Sequence, residues 1–507
     1  MPAHAGDKSD VDLLVIGGGV NGAGVARDAA GRGLRVLLCE KGDLAEGTSS
    51  RSGKYIHGGL RYLEYYEFRL VREALIEREV LLAAAPHIVW PIPLVLPHSP
   101  EQRPRWLIRL GLFLYDHLGG RKKLPATRAL DLRTAPEGKP LRAQFTKGFE
   151  YADCWVDDAR LVILNAVDAA RHGAEVVTRT ACTSARREEG GWRAELRDET
   201  SGATREVRAR AIVNTAGPWV EKVLTSVAGI NTSYRVRLVK GSHIVTKRWW
   251  EGDHGYVLQN TDRRIIFVNP YQDDLALIGT TDIPFDGQPE DVAIDADEIS
   301  YLLGILNRYF EVELTPADVL SSFSGVRPLF DDGTENASAV TRDYSFELDG
   351  GHGARAPILS AFGGKITTYR KLSEHALDRL AHVFPEMGDA WTERAPLPGG
   401  EMADADFDSW FAGFKQRHPW LPHDLALHYA RLYGSDAEQL LSGAGSTEEL
   451  GQHFGHLFYE REARWLVERE WARTPDDILD RRTKHGLFLS ENERARFADW
   501  LDRRAAA

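Results

Sequence analysis

The pattern of apolar and polar residues is clearest at residues 11–40. An apolar run leads into a glycine-rich turn, a stretch with helical spacing, a second apolar run and the acidic residue Glu40. This order predicts a strand, a turn, a helix and a second strand. We therefore expect the chain to begin with a β–α–β unit.

Two later segments repeat the step from an apolar strand into small residues. Residues 211–219 and 359–367 each pass from an apolar run into a turn that contains glycine. Between them, residues 230–350 contain four short apolar runs that predict strands of an antiparallel sheet. Helical spacing predicts helices over residues 157–170 and 365–380.

The remaining parts of the chain have a different character. Residues 85–150 are rich in proline and basic side chains, and they predict an irregular segment. Residues 396–400 have the composition of a linker, and the chain from residue 404 onward has helical spacing. With 507 residues the chain is too long for one ordinary core, so two or three domains are expected.

The glycines of the first turn have the spacing of a dinucleotide-binding motif. Gly17, Gly19 and Gly22 allow a tight turn, close approach of the backbone to a pyrophosphate, and close packing of helix on strand. The helix that follows offers free N–H groups to the phosphates. Glu40 can accept the ribose hydroxyls. The alternative is a glycine-rich turn in an α/β domain that binds no dinucleotide.

The segment after Glu40 favours FAD over NAD. It is long, polar and rich in glycine, whereas a plain NAD domain continues with a short loop and a helix. The glycine turns at 211–219 and 359–367 suit one cofactor held by separate parts of the chain.

Composition excludes several other classes of protein. The net charge of −12 argues against general nucleic-acid binding. Cys39, Cys154 and Cys182 are far apart and form no metal or redox motif, which suits a reducing compartment. We find no metal-ligand spacing and no secretion signal. Prolines interrupt the apolar stretch at residues 80–100, so it does not predict a membrane-spanning helix.

Residues 103–123 combine apolar side chains with six lysines and arginines. One interpretation is a helix that lies on an anionic membrane surface, with its cations directed at the lipid headgroups. The other is an amphipathic helix that packs on the core and ends in solvated charges. The sequence leaves both open.

Beyond these patterns, the chain resembles the FAD-dependent sn-glycerol-3-phosphate dehydrogenases of aerobic bacteria. The resemblance covers most of the chain, in order, and extends to the C-terminal stretches HYARLYG, FGHLFYEREARWLVEREWA and RRTKHGL. The stretches before them are DLLVIGGGVNGAG, SGKYIHGGLRYLEYYEFRLVREALIEREVLL, FEYADCWVDDARLV, VNTAGPWV, VKGSHIV, IGTTD, SGVRPL, TRDYS and FGGKITTYRKL.

This resemblance implies an α/β fold with three domains. A Rossmann-like FAD-binding domain would comprise residues 8–84, 155–225 and 355–392. A substrate cap built on an antiparallel sheet would comprise residues 85–154 and 226–354. A C-terminal helical domain would follow over residues 400–507.

It also implies the reaction. Hydride would pass from C2 of glycerol 3-phosphate to the flavin, giving dihydroxyacetone phosphate, and a membrane quinone would reoxidise the flavin. Arg327 would bind the substrate phosphate, His243 could act as base, and Lys365 could stabilise reduced flavin, although the group that takes the hydroxyl proton stays open. The implied substrate-binding residues are Arg61, Tyr62, His243, Thr280, Arg327, Arg342 and Lys365.

FAD would be bound non-covalently, since no histidine or cysteine motif indicates a covalent link. The implied cofactor-binding residues are Gly17, Gly19, Gly22, Glu40, Thr48, Ser49, Ser50, His57, Val177, Ala216, Gly217, Gly364 and Thr367.

Two alternatives to a quinone-dependent dehydrogenase are an oxidase and a non-catalytic FAD-binding protein. An oxidase would pass the electrons to oxygen, and a non-catalytic FAD-binding protein would not need a phosphate clamp. As partners we expect the substrate, the quinone and an anionic membrane surface, with a homodimer left open and no nucleic acid. The expected location is the cytoplasm, peripheral on the inner face of the cytoplasmic membrane.

Overall fold

The computed structural model describes residues 10–120, 123–260, 262, 264–331, 343–351 and 355–505. The strands of this part are β1 (Val11–Ile16), β2 (Val36–Cys39), β3 (Tyr55–Ile56), β4 (Val89–His98), β5 (Arg128–Asp131), β6 (Lys147–Val156), β7 (Glu175–Val177), β8 (Thr180–Glu188), β9 (Gly191–Asp198), β10 (Thr204–Asn214), β11 (Val236–Lys247), β12 (Gly255–Gln259), β13 (Ile265–Tyr271), β14 (Leu275–Gly279), β15 (Ile283–Pro284), β16 (Ser321–Phe330), β17 (Tyr344–Asp349), β18 (Ile358–Gly363), β19 (His453–Gly455) and β20 (Phe458–Tyr459). Its α-helices are α1 (Val20–Gly31), α2 (Phe68–Ala84), α3 (Arg105–Leu118), α4 (Asp158–Arg171), α5 (Val220–Lys222), α6 (Ala296–Tyr309), α7 (Tyr369–Leu380), α8 (Phe407–Arg417), α9 (His423–Tyr433), α10 (Ala437–Leu440), α11 (Glu460–Arg469) and α12 (Glu491–Ala505).

The first sheet brings the three glycine turns together. Its strand order is β17-β18-β10-β1-β2-β7, with β9 and β8 continuing from β10. Strands β18, β10, β1 and β2 are parallel, and Ile16 is in register with Asn214. Because parallel strands end at the same edge of a sheet, the turns that follow β1, β10 and β18 meet there. The cofactor edge predicted from three separate segments is thus one continuous surface.

Helices α1, α4 and α7 cover one face of this sheet with small apolar side chains. Ala26 and Ala29 of α1 and Ala166 of α4 are fully buried in the core beneath them. A Cβ at Gly24 would lie 2.7 Å from the ring of Tyr369 on α7, so the two helices pack in close contact. This packing fixes the N-terminus of α1 against the glycine edge.

The second sheet contains most of the segments expected to form the substrate cap, and is called the cap sheet below. Its order is β15-β11-β14-β13-β12-β4-β6-β3, with β16 paired to β11 and β5 paired to β6. All its pairs are antiparallel except β12 with β4. Two strands lie across the boundaries expected from the sequence: β3 belongs to the cap sheet, and β17 belongs to the first sheet.

Strand β4 corrects the expectation that residues 85–150 are irregular. It pairs with β6 over all ten of its residues, although it contains Pro91, Pro93 and Pro97. These prolines are spaced by even numbers, so their missing N–H groups point to the same edge. The opposite edge of β4 keeps its hydrogen bonds to β6. The edge with the missing N–H groups is the one next to β12, where only Leu94 and Val95 are paired. A long strand therefore tolerates three prolines.

The C-terminal helices form a separate core that is joined to the FAD-binding domain by buried ion pairs. Phe414, Tyr429 and Phe454 are fully buried in that core. Arg160 of α4 forms a buried ion pair with Glu470, in which one of its nitrogens lies 3.0 Å from the carboxylate. Removing one partner of such a pair leaves an uncompensated buried charge, typically a loss of about 3–5 kcal/mol.

Candidate active site

A cavity of about 2700 Å³ extends from the glycine edge of the first sheet to the cap sheet. Gly17, Gly19 and Glu40 line one end of it, and His243 and Arg327 lie on the cap wall. The cavity therefore contains both the predicted cofactor motif and the predicted substrate groups.

The turn after β1 requires glycine, because a side chain at Gly17 or Gly22 would collide with neighbouring backbone. Gly17 has a φ of +109°, in the region that favours glycine. A Cβ at Gly22 would lie 1.8 Å from the carbonyl oxygen of Gly17, so helix and turn are in direct contact. At the start of α1, the N–H of Val20 donates to Oγ of Ser49 at 3.0 Å. Polar groups thus surround the helix N-terminus where phosphates are expected.

Glu40 lies directly after β2 and is held by two backbone amides. Its Oε2 accepts from the N–H of Gly18 at 2.6 Å, and its Oε1 accepts from the N–H of Gly42 at 2.8 Å. Burial raises the pKa of the Glu40 carboxyl, and the two N–H bonds oppose that rise. The carboxylate is therefore oriented at the rim of the cavity before any ribose is bound.

Two other predicted cofactor groups are engaged elsewhere. The hydroxyl of Thr48 donates to the carbonyl oxygen of Val326 at 2.7 Å and so links the cofactor loop to β16. The carbonyl oxygen of Val177 accepts from the N–H of Glu40. Val177, Ser50 and Gly22 do not line the cavity.

At the other end of the cavity lie His57 and the glycine turn at the end of β18, which contains Gly363 and Gly364. The N–H of His57 donates to Oγ1 of Thr367 at 3.1 Å. Burial, with help from Lys365, lowers the pKa of His57 to about 3, so its ring is neutral. The ammonium of Lys365 lies 4.0 Å above the ring of Tyr62. Gly364 borders the same space.

The turn after β10 completes this edge. Ala216 and Gly217 line the cavity, and the N–H of Ala216 donates to Oδ1 of Asn214 at 3.3 Å. Arg61 also lines the cavity, and its guanidinium donates to the hydroxyl of Tyr65 at 3.4 Å. Arg342 lies outside the described residues.

On the cap wall, three glycines make room for larger groups. A Cβ at Gly279 would lie 2.1 Å from Cδ2 of His243, and one at Gly241 would lie 2.6 Å from Nη2 of Arg327. A Cβ at Gly325 would collide with the side chain of Arg51. The sheet register requires this arrangement, because His243 is directly opposite Gly279 on β14.

His243 is buried and has no hydrogen-bond partner among the described residues at either ring nitrogen. Its ring stacks on Phe323, with centroids 4.8 Å apart. Burial, together with the charges of Arg327 and Lys54, holds the pKa of His243 well below its usual range. A neutral imidazole with an unused nitrogen at a cavity wall is suited to accept a proton.

Arg327 is half-buried and already paired. Its Nη1 contacts the carboxylate of Asp282, and its Nη2 donates to Oγ1 of Thr280 at 3.1 Å. These partners hold the guanidinium at the wall, and its remaining N–H groups are available to a ligand. Asp282 also reduces the net positive charge that a substrate phosphate would meet.

Three residues of this site were not foreseen from the sequence. Arg51 lines the cavity, and its side chain makes no hydrogen bond or ion pair with any residue that the structure describes. Asn21 also lines it, with Oδ1 buried and unpaired among the described residues. Asp282 is the partner of Arg327. The spacing of Asn21 within the glycine motif and the position of Asp282 at the end of the stretch IGTTD were usable signals, whereas Arg51 carries none.

The residues present fit FAD. The turn at Gly17 and Gly22 excludes side chains from the place where a pyrophosphate would lie. Glu40 and the buried Oδ1 of Asn21 offer acceptors along the same cavity. His57 and Thr367 would border the flavin ring at the other end.

Replacing Glu40 by alanine is expected to weaken FAD binding without unfolding the protein. Hydrogen bonds to a charged group are worth roughly 1.5–3 kcal/mol, so FAD affinity should fall about 10- to 150-fold. The measurement is the dissociation constant from flavin fluorescence. Glu189→Ala, at an exposed turn, should bind FAD normally. An unchanged dissociation constant for Glu40→Ala would exclude Glu40 from the ribose site.

Two family models match the chain. The model described as FAD dependent oxidoreductase matches residues 12–370, and the model described as C-terminal domain of alpha-glycerophosphate oxidase matches residues 390–500. The prediction of an FAD enzyme with a separate C-terminal domain is confirmed.

Among similar proteins, D-erythritol 1-phosphate dehydrogenase of Brucella abortus is 63% identical, over 97% of both chains. Aerobic glycerol-3-phosphate dehydrogenase of Escherichia coli is 51% identical, again over 97% of both chains. The FAD complex of glycerol-3-phosphate dehydrogenase from Bacillus halodurans has a similar structure, with a TM-score of 0.73, 26% identity, and coverage of 98% of this chain and 94% of that one. The predicted fold class is confirmed.

Proposed function

This chain belongs to the family of FAD-dependent glycerol-3-phosphate dehydrogenases, and on that premise we propose that it oxidises sn-glycerol 3-phosphate to dihydroxyacetone phosphate. Electrons would pass to a membrane quinone, and FAD would be bound non-covalently. The observation that carries this proposal is one cavity lined by the dinucleotide turn, by the guanidinium of Arg327 and by His243, whose ring nitrogens have no hydrogen-bond partner among the described residues.

FAD, when bound, supplies the acceptor for the hydride that leaves C2 of the substrate. The residues of the chain do the rest. Arg327 binds the phosphate through its remaining N–H groups, and Thr280 keeps the guanidinium in place. His243 takes the proton of the C2 hydroxyl, and Lys365, above Tyr62, adds positive charge near the flavin end. Arg61, which lines the same cavity, is proposed to add to this phosphate site.

A second substrate is favoured by the relative with 63% identity, whose name gives D-erythritol 1-phosphate as its substrate. That molecule also carries a secondary hydroxyl next to a phosphorylated CH₂ group, with one further carbon. The same groups of this chain would serve both compounds.

Anaerobic bleaching of the flavin absorption tests both candidates without any acceptor. Stopped-flow mixing with each phosphate would give a rate of reduction and an affinity, and the compound with the higher ratio is the substrate. Glycerol and erythritol without phosphate are the controls. Failure of both phosphates to bleach the flavin would overturn the proposed function and favour a non-catalytic FAD-binding protein.

The electron acceptor needs a separate measurement. Turnover with a water-soluble quinone analogue under argon is compared with peroxide formation in air. A dehydrogenase turns over with the quinone and forms little peroxide. The opposite result would make the protein an oxidase.

We further propose that the protein docks on a membrane through α3. Trp106, Leu110 and Phe113 occupy one face of this helix, and Trp106 is 69% exposed. Tyr66, 79% exposed, lies in the neighbouring segment at the cavity mouth. Apolar side chains presented to solvent at helical spacing are suited to insertion into a lipid interface, where the quinone resides. None of the helices in the described ranges is long and apolar enough to cross a membrane.

The double variant Trp106→Ser, Phe113→Ser is expected to lower binding to anionic vesicles by about 10- to 150-fold. Full burial of such a side chain is worth roughly 1.5–3 kcal/mol, and half of that per residue gives this range. Sedimentation with vesicles is the measurement. Leu320→Ser, which removes an exposed apolar side chain that does not line the cavity, is the control. Equal binding by the double variant and the parent would move the docking surface elsewhere.

Variants of the basic cluster at residues 121–123 give a weaker test of membrane docking. Arg121 and Lys122 lie outside the described residues. The ammonium of Lys123 donates to the carbonyl oxygens of Asp404 and Ala405, so it is partly engaged by the C-terminal domain. Neutralising all three should lower vesicle binding, because each cation near an anionic surface contributes about 1 kcal/mol, and high salt should have a similar effect.

A further inference from the structure

Two histidines and a glutamate from separate segments of the C-terminal domain form a buried cluster. Glu462 on α11 is fully buried. Its Oε1 lies 2.8 Å from Nε2 of His428 on α9, and its Oε2 lies 3.3 Å from Nε2 of His485, in the 3₁₀ turn His485–Leu487. The side chain of His428 is only 11% exposed, so the cluster is nearly closed to solvent.

The three facing atoms form a donor set for a zinc-type ion. Two imidazole nitrogens and a carboxylate oxygen are the ligands of many zinc sites. With bonds of about 2.1 Å in a tetrahedron, neighbouring ligand atoms are about 3.4 Å apart. One donor atom from each residue can be chosen so that all three lie within 4.8 Å of one another. In the present arrangement the two imidazoles contact different oxygens of Glu462, at 2.8 Å from Oε1 and 3.3 Å from Oε2. Small side-chain adjustments would open the cluster to that spacing.

The groups behind the donors fix their orientation. The hydroxyl of Tyr433 donates to Oε1 of Glu462 at 2.8 Å. Nδ1 of His485 lies 3.5 Å from Nδ1 of His456, whose Nε2 lies 3.1 Å from the carboxylate of Asp273 in the cap domain. Such outer partners align metal ligands and set which ring nitrogen carries the proton.

The alternative to a metal site is a metal-free hydrogen-bonded cluster, in which a ring N–H of His428 and one of His485 each point at an oxygen of Glu462.

We propose that His428, Glu462 and His485 bind one divalent transition-metal ion of the zinc type, with water in the fourth position. The ion would join α9, α11 and the turn at His485–Leu487, next to the contact of His456 with Asp273. Its role would be to stabilise the C-terminal domain and its contact with the cap. The site is separate from the cavity that contains the proposed redox chemistry.

The test uses the full-length protein with FAD bound. Bound metal ions are removed from the protein with a chelator, and the chelator is then removed. Co²⁺ is then added, and its ligand-field absorption is followed at wavelengths beyond the flavin bands. We expect one equivalent to bind with the intensity of a tetrahedral site, and Zn²⁺ to displace it. At a hundredfold excess over the dissociation constant, Zn²⁺ should raise the melting temperature of the 507-residue protein by about 2–3 °C.

Variants identify the ligands. His428→Gln, at the least buried of the three positions, should weaken metal binding by about 100-fold or more. Tyr433→Phe, an outer partner, should weaken it by about 10- to 100-fold. His423→Gln, at an exposed position on the same helix, should bind as the parent does.

Parent protein that gives no tetrahedral Co²⁺ spectrum would overturn the proposal, whether or not the variants fold. An unchanged spectrum in His428→Gln would also overturn it. Since neither readout involves substrate turnover, the outcome is independent of the proposed function.

Discussion

Replacement of His243 by glutamine is expected to lower kcat by about 10²- to 10⁴-fold, the usual contribution of a positioned general base. The ring is buried at the cavity wall, and neither of its nitrogens has a partner among the described residues. Glutamine keeps a polar side chain of similar length but cannot take the proton. The rate of anaerobic flavin reduction is the measurement, and FAD content should stay normal.

Because its pKa lies well below 6.5, His243 remains neutral as the pH falls through that value. The acidic limb of kcat/KM should therefore lie below pH 6.5 and be altered in His243→Gln. His254→Gln is the matched control, since His254 is also buried in the cap and bonds to Tyr256 away from the cavity. If His243→Gln reduces flavin at the parental rate, while Lys365→Met does not, the base is Lys365 and not His243.

Replacement of Arg327 by alanine is expected to lower kcat/KM by about 10- to 150-fold. A hydrogen bond to a charged group is worth roughly 1.5–3 kcal/mol, and the lost partner is the substrate phosphate. The loss should be largest for the phosphorylated substrate and negligible for glycerol. Steady-state kinetics with both compounds is the measurement.

The contact with Asp282 makes this prediction sharper. Arg327→Lys should recover only part of the loss, because an ammonium group cannot copy the planar fork. Asp282→Asn keeps the shape of the wall but removes the opposing carboxylate, so KM should fall or stay unchanged in this variant. Parental kcat/KM in Arg327→Ala, or loss of FAD in place of substrate affinity, would remove Arg327 from the phosphate site.

Some features of the site follow from local sequence because the backbone itself requires them. Gly17 and Gly22 are needed where φ is positive and where a Cβ would collide with the turn. Glu40 follows the second strand directly, so its position at the cofactor edge is set by the β–α–β unit. The helices at 158–171 and 369–380 and the strands β12, β13 and β14 were predicted from their patterns, with boundaries within a few residues. Strand β11 begins at Val236, seven residues before the apolar run that predicted it.

Strand β4 could not be predicted in this way. Proline disfavours a strand in isolation, and its tolerance here depends on which edge of β4 faces β6. The edge that faces β6 is decided by pairing with residues 49 to 67 positions further along the chain. The division of the chain between the two sheets depends on similar distant pairings, and β3 and β17 therefore fell outside their expected domains.

What the sequence by itself determined was the cofactor motif, the family and the types of residue that carry the chemistry, because these are encoded in short stretches of backbone and side chain. The tertiary structure alone decided the partners of those side chains. It placed Asp282 against Arg327, turned the hydroxyl of Thr48 to Val326, and gathered His428, Glu462 and His485 into one cluster. The physical reason is that a hydrogen bond or an ion pair depends on distances of a few ångströms between segments whose approach is set by sheet register and helix packing.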